Sequence, residues 1–338
     1  MAAGDPASPA AADHASTGPR PEAATSLRGR DFVSVSDLSR PELDRVFARS
    51  LALKTEYLAL GRHMDPPLLG RTLVMLFEHP SLRTRVTFEA GMTQLGGHGI
   101  YLAAGDVGLG QRETVSDVAR NLDRFVNGIM ARVAAHEIVA ELAARTTIPV
   151  INALTNLEHP CQTLADLLTM RERFGALEGL VVAFIGDGNN VFHSLALAGA
   201  AYGMEIRLAH PSGYAPNPAV MERASAIAAT TGGRIVVATD PREVARGAAV
   251  LYTDSWTSMG QEAETAARRL AFAGYRLDEA LLAVAGPHAL AMHCLPAHRG
   301  EEITDEAMDG PRSLVWEQSE NRLHAQKGLL AELLGPAT

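Results

Sequence analysis

A chain of 338 residues, 47% hydrophobic and 20% charged, is long enough for two ordinary domains and has the mix of a globular protein, which excludes a disordered or fibrous one. Its 30 lysines and arginines against 39 acids leave a net charge of -9, so there is no basic footprint for nucleic acid or an anionic membrane surface. The two cysteines, Cys161 and Cys294, form no C-x-x-C pair, so no disulfide framework is expected and a reducing, cytoplasmic compartment fits.

In chain order, residues 1–28 are expected to be a disordered tail. They are rich in Ala, Pro and Ser, with no apolar run to serve as a signal-peptide core and more acids than an organelle transit peptide carries. Residues 73–77 form a short apolar run, expected as a buried strand. Phe88, Met92 and Leu95 then recur at helical spacing over residues 85–95, and Gly96-Gly97 ends that helix. Residues 98–102 read as the next strand. The spacing over residues 160–170 predicts a helix able to bridge two domains. A second strand–helix unit begins with the run 181–185, followed by a glycine-containing loop, a helix from about Val191 and a strand at 206–209. Residues 280–297 are uncharged but carry Gly286-Pro287 and two histidines, so they read as buried strand and loop rather than a membrane span. Residues 318–334 read as a last helix. Repeated strand–helix units of this kind predict an α/β protein of two domains.

The stretch Ser81-Leu82-Arg83-Thr84-Arg85 follows a strand and opens a helix. A helix N-terminus offers unpaired N–H groups and partial positive charge, while hydroxyls and guanidinium forks suit phosphate oxygens, so this is a candidate anion site. The competing reading is an N-cap serine followed by solvated arginines. Gly186-Asp187-Gly188-Asn189-Asn190 invites a dinucleotide loop, but its third glycine position holds Val191 and the next strand ends in His210 rather than an acid. The loop is expected instead to present Asn190 to a small polar ligand. His136-Glu137 lacks the second histidine of a zincin, and Ser258 lacks the glycine of a nucleophile elbow. His293, Cys294 and His298 make a poor zinc set with no second ligand pair, and a Cys294–His293 nucleophile pair is weakened because adjacent residues on a strand point to opposite faces.

Taken in order, Ser81-Leu82-Arg83-Thr84-Arg85, His159-Pro160-Cys161-Gln162, Asp254-Ser255-Trp256-Thr257-Ser258-Met259-Gly260, His293-Cys294-Leu295-Pro296 and Glu320-Asn321-Arg322 resemble the ornithine carbamoyltransferase family, from about residue 30 to the C-terminus. The resemblance implies two domains, each a mostly parallel sheet flanked by helices and linked by interdomain helices. They would be a carbamoyl phosphate-binding domain at 29–152, joined by the C-terminal helix 318–338, and an ornithine-binding domain at 153–317. It implies a homotrimer or a multiple of it, and transfer of a carbamoyl group to the side-chain amine of L-ornithine, giving citrulline and phosphate for arginine biosynthesis, with neither metal nor cofactor. Ser81, Leu82 (through its N–H), Arg83 and Thr84 would hold the phosphate, and Arg132 would reach phosphate and carbonyl oxygen. His159 would donate to the carbonyl oxygen, and Gln162 would hold the carbamoyl amino group. The Leu295 carbonyl and Arg322 would complete that site. Asn190, Asp254, Ser258 and Met259 would bind ornithine, with Cys294 beside the attacking amine and Asp254 near it. Arg132, His159 and Thr84 would act as donors to developing negative charge, each worth about 3 kcal/mol. The Ser258-Met259-Gly260 segment is the candidate lid.

Two positions depart from the family's pattern. Leu82 stands where ornithine enzymes usually carry threonine, a change shared with relatives that use N-acylated ornithine. Gly108 replaces a glutamine or histidine that reaches the neighbouring subunit's site, a role that Gln111 could take over. They motivate an alternative, a carbamoyltransferase for another diamino acid such as 2,3-diaminopropionate. A non-catalytic binding subunit of the same fold is the other class of reading.

Overall fold

The structure, a computed structural model, describes residues 26–109, 112–257 and 262–336. Residues 1–25, Gln111, Ser258, Met259 and Gly260 lie outside the described residues. Within the segment expected as a tail, Leu27 is fully buried and the Gly29 N–H donates to the Leu333 carbonyl, so the packed chain already includes residues 27–28.

The first half runs α1 (Arg40–Leu60), β1 (Thr72–Phe77), α2 (Leu82–Gln94), β2 (His98–Ala103), α3 (Ala104–Val107), α4 (Val115–Phe125), β3 (Gly128–Arg132), α5 (His136–Arg145) and β4 (Val150–Leu154). Next come α6 (Pro160–Phe174), β5 (Val181–Ile185), α7 (Asn190–Ala201), β6 (Glu205–Ala209), α8 (Pro218–Thr231), β7 (Arg234–Ala238), α9 (Pro241–Ala245) and β8 (Val250–Thr253). The chain closes with α10 (Thr265–Ala271), α11 (Glu279–Ala285), β9 (Leu290–His293), α12 (Asp305–Asp309) and α13 (Val315–Leu334). One sheet has the order β2-β1-β3-β4 and the other β7-β6-β5-β8-β9, and every pairing in both is parallel. Among the described residues, no helix is long and apolar enough to cross a membrane.

Parallel strands are covered on both faces, so their side chains divide by alternation between two cores. Leu73, Met75 and Phe77 of β1 and Val182 and Phe184 of β5 face one continuous core shared with α1, α2, α6, α7 and α13. Val74 and Leu76 face the outer layer of α4 and α5, while Ala183 and Ile185 face that of α9 and α11. The central core thus spans both sheets. Helix α6 is buried from Pro160 through Met170, and α13 packs against α1, α2 and α6.

The structure corrects one element. Residues 280–285, expected as strand and loop, are helical within α11; only Leu290–His293 is strand. Asp278 caps the helix by accepting from the Leu281 N–H, Ala and Leu are strong helix formers, and Gly286 ends it. Helix α2 begins three residues earlier than its apolar spacing marks, because the cap at Ser81 rather than the first buried side chain sets the start.

The fit of α13 against α1 is backbone-close at Gly328, where an added Cβ would meet Ser50 Oγ at 2.0 Å and the Val46 carbonyl at 2.7 Å. Gly328→Ala is therefore expected to lower stability by about 1–3 kcal/mol in denaturant unfolding. Adding Ser50→Ala should not restore it, since the Val46 carbonyl remains; full recovery would locate the close contact elsewhere.

Candidate active site

In open α/β sheets, ligands gather at the carboxyl ends of strands where the strand order reverses. The two sheets reverse between β1 and β3 and between β5 and β8. The loops after β1, β3, β4, β5, β8 and β9 line one cleft of about 480 Å³. Ser81, Leu82, Arg83, Thr84, Arg132, His159, Gln162, Asn190, Asp254, Cys294, Leu295 and Arg322 all lie in its wall. Ser258 and Met259 fall outside the described residues.

The first wall is cationic. Ser81 has extended backbone and its Oγ accepts from the Thr84 N–H at 3.4 Å, so the start of α2 is aimed at the cleft. The Glu78 N–H donates to the Arg132 carbonyl and the Glu78 carboxylate accepts from the Ala134 N–H at 2.7 Å, which fixes the β1–α2 loop against the end of β3. Thr84 Oγ1 lies 3.5 Å from Arg132 Nη1 and 3.4 Å from Arg322 Nη2, while Arg322 Nη1 donates to Gln162 Oε1 at 2.6 Å. The Nε atoms of Arg132 and Arg322 are buried without a protein partner. Burial, then the charges of Arg322 and Arg83, pulls Arg132 down to about 10; burial also lowers Arg322 and Arg83. All three stay protonated at neutral pH, and guanidiniums with donors to spare in a buried wall suit an anion with several oxygens.

His159 ends the β4–α6 loop and is neutral: burial first, then Arg322, Arg132 and Arg83, hold its pKa well below the usual histidine range. Its backbone N–H donates to Ser194 Oγ, which donates in turn to the buried Glu158 carboxylate. The ring Nδ1 is buried without a protein partner, and a neutral imidazole has one N–H to offer without adding a fourth cation.

The second wall is built on β8 and β9, whose register pairs Thr253 with His293 and so brings Asp254 beside Cys294. Cys294 Sγ donates to Asp254 Oδ1 at 2.8 Å, and Asn189 Nδ2 donates to Asp254 Oδ2 at 2.8 Å. Burial and the Asp254 charge push the Cys294 thiol well above its ordinary value, so it is a protonated donor rather than a nucleophile. Leu295 holds φ +59, uncommon for a residue other than glycine, and its N–H donates to His293 Nδ1 at 2.8 Å. Asn190 Nδ2 donates to the Thr155 carbonyl at 2.6 Å, tying α7 to the β4–α6 loop.

Asp254, His293 and Cys294 bring potential ligand atoms within 4.8 Å of one another. They do not fit a metal ion: His293 Nδ1 accepts from Leu295 and Nε2 meets Glu302 at 3.2 Å, leaving no free lone pair on the ring. The β5–α7 loop does not fit a pyrophosphate either. A Cβ on Gly188 would sit 2.3 Å from the Pro216 nitrogen, so this glycine serves chain packing.

Several residues here carry no motif that marks them in the sequence. Asn189 both caps α7 and holds Asp254. Buried Arg268 pairs with Asp187 and donates to the Trp256 carbonyl, anchoring the chain after β8. At the mouth, Arg269 forms a two-bond pair with Glu301 near His298. Each partner is far away in sequence, so only the fold brings them together.

Residues 30–172 match the family model described as aspartate/ornithine carbamoyltransferase, carbamoyl-P binding domain, and residues 178–333 match its Asp/Orn binding domain. The chain is 51% identical to the ornithine carbamoyltransferase of Symbiobacterium thermophilum over 310 residues, covering 92% of this chain and 99% of that one. It is 46% identical to that of Thermococcus kodakarensis, covering 92% and 98%. Among solved structures, the ornithine carbamoyltransferase of Pyrococcus furiosus superposes with a TM-score of 0.89 at 45% identity, covering 93% and 100%. That of Gloeobacter violaceus gives 0.81 at 47%, covering 92% and 100%.

Since an anion beside a thiol raises its pKa, Asp254→Asn is expected to lower the pH midpoint of Cys294 alkylation in a Cys161→Ala background. Iodoacetamide rates across pH measure it; an unchanged midpoint would show that Asp254 does not set the protonation of Cys294.

Proposed function

The chain belongs to the aspartate/ornithine carbamoyltransferase family, and from its cleft we infer that it transfers the carbamoyl group of carbamoyl phosphate to the side-chain amine of L-ornithine, giving citrulline and phosphate. The observation that carries this reading is the pairing of two unlike walls in one cleft. One has three guanidiniums and a helix N-terminus, and the other has a carboxylate that accepts from a protonated thiol.

In this reading Ser81, Arg83, Thr84 and the N–H of Leu82 hold the phosphate, with Arg132 shared between phosphate and carbonyl oxygen. Leu82 is 74% exposed, so its lost hydroxyl is a change at the rim, and its backbone N–H at the start of α2 is unaffected. The neutral amine attacks the carbamoyl carbon, and negative charge grows on the carbonyl oxygen, where Arg132, Thr84 and His159 donate. The C–O bond to phosphate breaks, the leaving group departs into the cationic wall, and the proton lost by the attacking nitrogen goes to the phosphate. Gln162, the Leu295 carbonyl and Arg322 hold the carbamoyl end. Asp254 and Asn190, with Ser258 and Met259, bind the amino acid, and Cys294 lies beside the amine. These residues supply charge stabilisation and orientation, with no covalent intermediate.

Gly108 caps α3 at φ +61, and a Cβ there would approach Arg112 Cβ to 2.8 Å. Local backbone geometry therefore favours glycine, which accounts for this departure without a change of substrate. The same reading includes a homotrimer or a multiple of it, a cytoplasmic location consistent with two free cysteines, and a place in arginine biosynthesis.

A colorimetric ureido assay with carbamoyl phosphate should show ornithine turned over faster than N-acetylornithine, 2,3-diaminopropionate, putrescine, lysine or aspartate; preference for another amine would overturn the acceptor. Arg132→Leu should reduce kcat by at least about a hundredfold while circular dichroism stays unchanged. Retained activity would remove Arg132 from its role. Light scattering on the purified chain should give three subunits or a multiple.

A further inference from the structure

Asp166 lies one turn after Gln162 on α6, is fully buried, and is not in the cleft wall. Its carboxylate is surrounded by donors. Oδ1 accepts from Gln162 Nε2 at 2.8 Å and from Gln318 Nε2 at 2.7 Å, and Oδ2 accepts from the Tyr252 hydroxyl at 3.0 Å. An amide can be turned either way round unless its neighbours decide, and here they do. Gln318 Oε1 accepts the backbone N–H of His293 at 2.9 Å, so its Nε2 must face Asp166. Burial raises the Asp166 carboxyl to about 6, so above that pH it is ionised and only accepts, and Gln162 must present Nε2 to it as well. Gln162 Oε1 is thereby turned away from Asp166, accepts from Arg322 Nη1 at 2.6 Å, and keeps its remaining lone pair in a residue that lines the cleft. The acceptor carboxylate of Asp166, held by Gln318 and Tyr252, thus sets the polarity of the Gln162 amide. With the Gln162 amide reversed, its NH2 would oppose both Arg322 and the amino group of a carbamoyl ligand.

We propose that Asp166 is a positioning residue that fixes Gln162 as an acceptor, and so makes the cleft select an acyl phosphate ending in NH2 over its isostere ending in CH3. This rests on the assignment of Gln162 to the carbamoyl amino group. An apolar replacement at 166 frees the Gln162 amide to rotate and leaves the phosphate wall of Arg83, Arg132 and Thr84 in place. The cost therefore falls on carbamoyl phosphate and spares acetyl phosphate.

The test is the ratio of dissociation constants, acetyl phosphate over carbamoyl phosphate, measured by calorimetry on the whole enzyme and on Asp166→Leu, Asp166→Asn and Gln162→Leu. Asp166→Leu should lower the ratio about tenfold, the usual effect of a buried hydrogen-bonding group left without its partner. Asp166→Asn keeps an acceptor oxygen in the same volume and should hold the ratio within about threefold of wild type. A merely structural Asp166 would weaken both ligands together and leave the ratio unmoved, which overturns the proposal. Should the leucine variant not fold, Asp166→Ala is read beside Asp166→Asn: a tenfold lower ratio in alanine with the ratio kept in asparagine supports the acceptor role, and a ratio unmoved in alanine or lost in asparagine overturns it. If Gln162→Leu leaves the ratio unchanged, the assignment of Gln162 itself falls. If it lowers the ratio while Asp166→Leu does not, only the role of Asp166 falls.

Discussion

Three guanidiniums drawn into one wall are the constraint on which the rest of this structure depends. Arg132 and Arg322 are 6% and 2% exposed, Arg322 lowers the pKa of Arg132 and both lower that of His159, so the fold must hold them where neither water nor repulsion favours them. Burying charge is tolerated when its hydrogen bonds are met and a counter-charge is at hand. Part of that demand is met by Thr84, by Gln162 and by the buried carboxylate of Asp166 behind it. The remainder, including the unpartnered Nε atoms, is what a phosphate-bearing ligand would supply. Keeping His159 neutral belongs to the same balance, since a fourth cation would add repulsion without adding a useful donor.

The helices that position this wall come from distant parts of the chain. Helix α2 follows β1, α6 follows β4, and α13 is the C-terminal helix, yet they meet in one core that also reaches β5 and α7. Because the core is continuous across both sheets, the strand ends that carry Arg132, His159, Asp254 and Cys294 are fixed relative to one another by packing rather than by loop contacts alone.

What could be read in the sequence follows from this physics. Residues 181–185 are a run of apolar side chains covered on both faces, and the strand has those bounds. Ser81 signals a cap because a hydroxyl before a helix has a specific partner in the Thr84 N–H. Ordered motifs contain ten of the twelve expected residues found in the cleft wall, most of them at a strand end or helix start where local chemistry is distinctive; Asn190 was marked by the glycine-containing loop before α7, and Arg132 only by the family resemblance. Residues 280–285 were misread because a short apolar stretch has no period that separates strand from helix, and the Asp278 cap lies just outside it. Asp166, Glu158 and Arg268 were invisible for another reason: each matters through partners 36 to 86 residues away, and a single acid or arginine in a helix or loop has the look of a solvated side chain.

The place of α13 also bears on how the chain is made. Helices α1 and α2 bury their apolar faces against a segment that lies at the end of the sequence, with the Gly29 N–H bonded to the Leu333 carbonyl. During synthesis the first half therefore leaves the ribosome with an unfinished core and must wait for about 150 further residues, many seconds at ordinary elongation rates, before its last helix emerges. The fold is completed from its end backwards, and the nascent amino-terminal half is the stage at which a chaperone has most to cover.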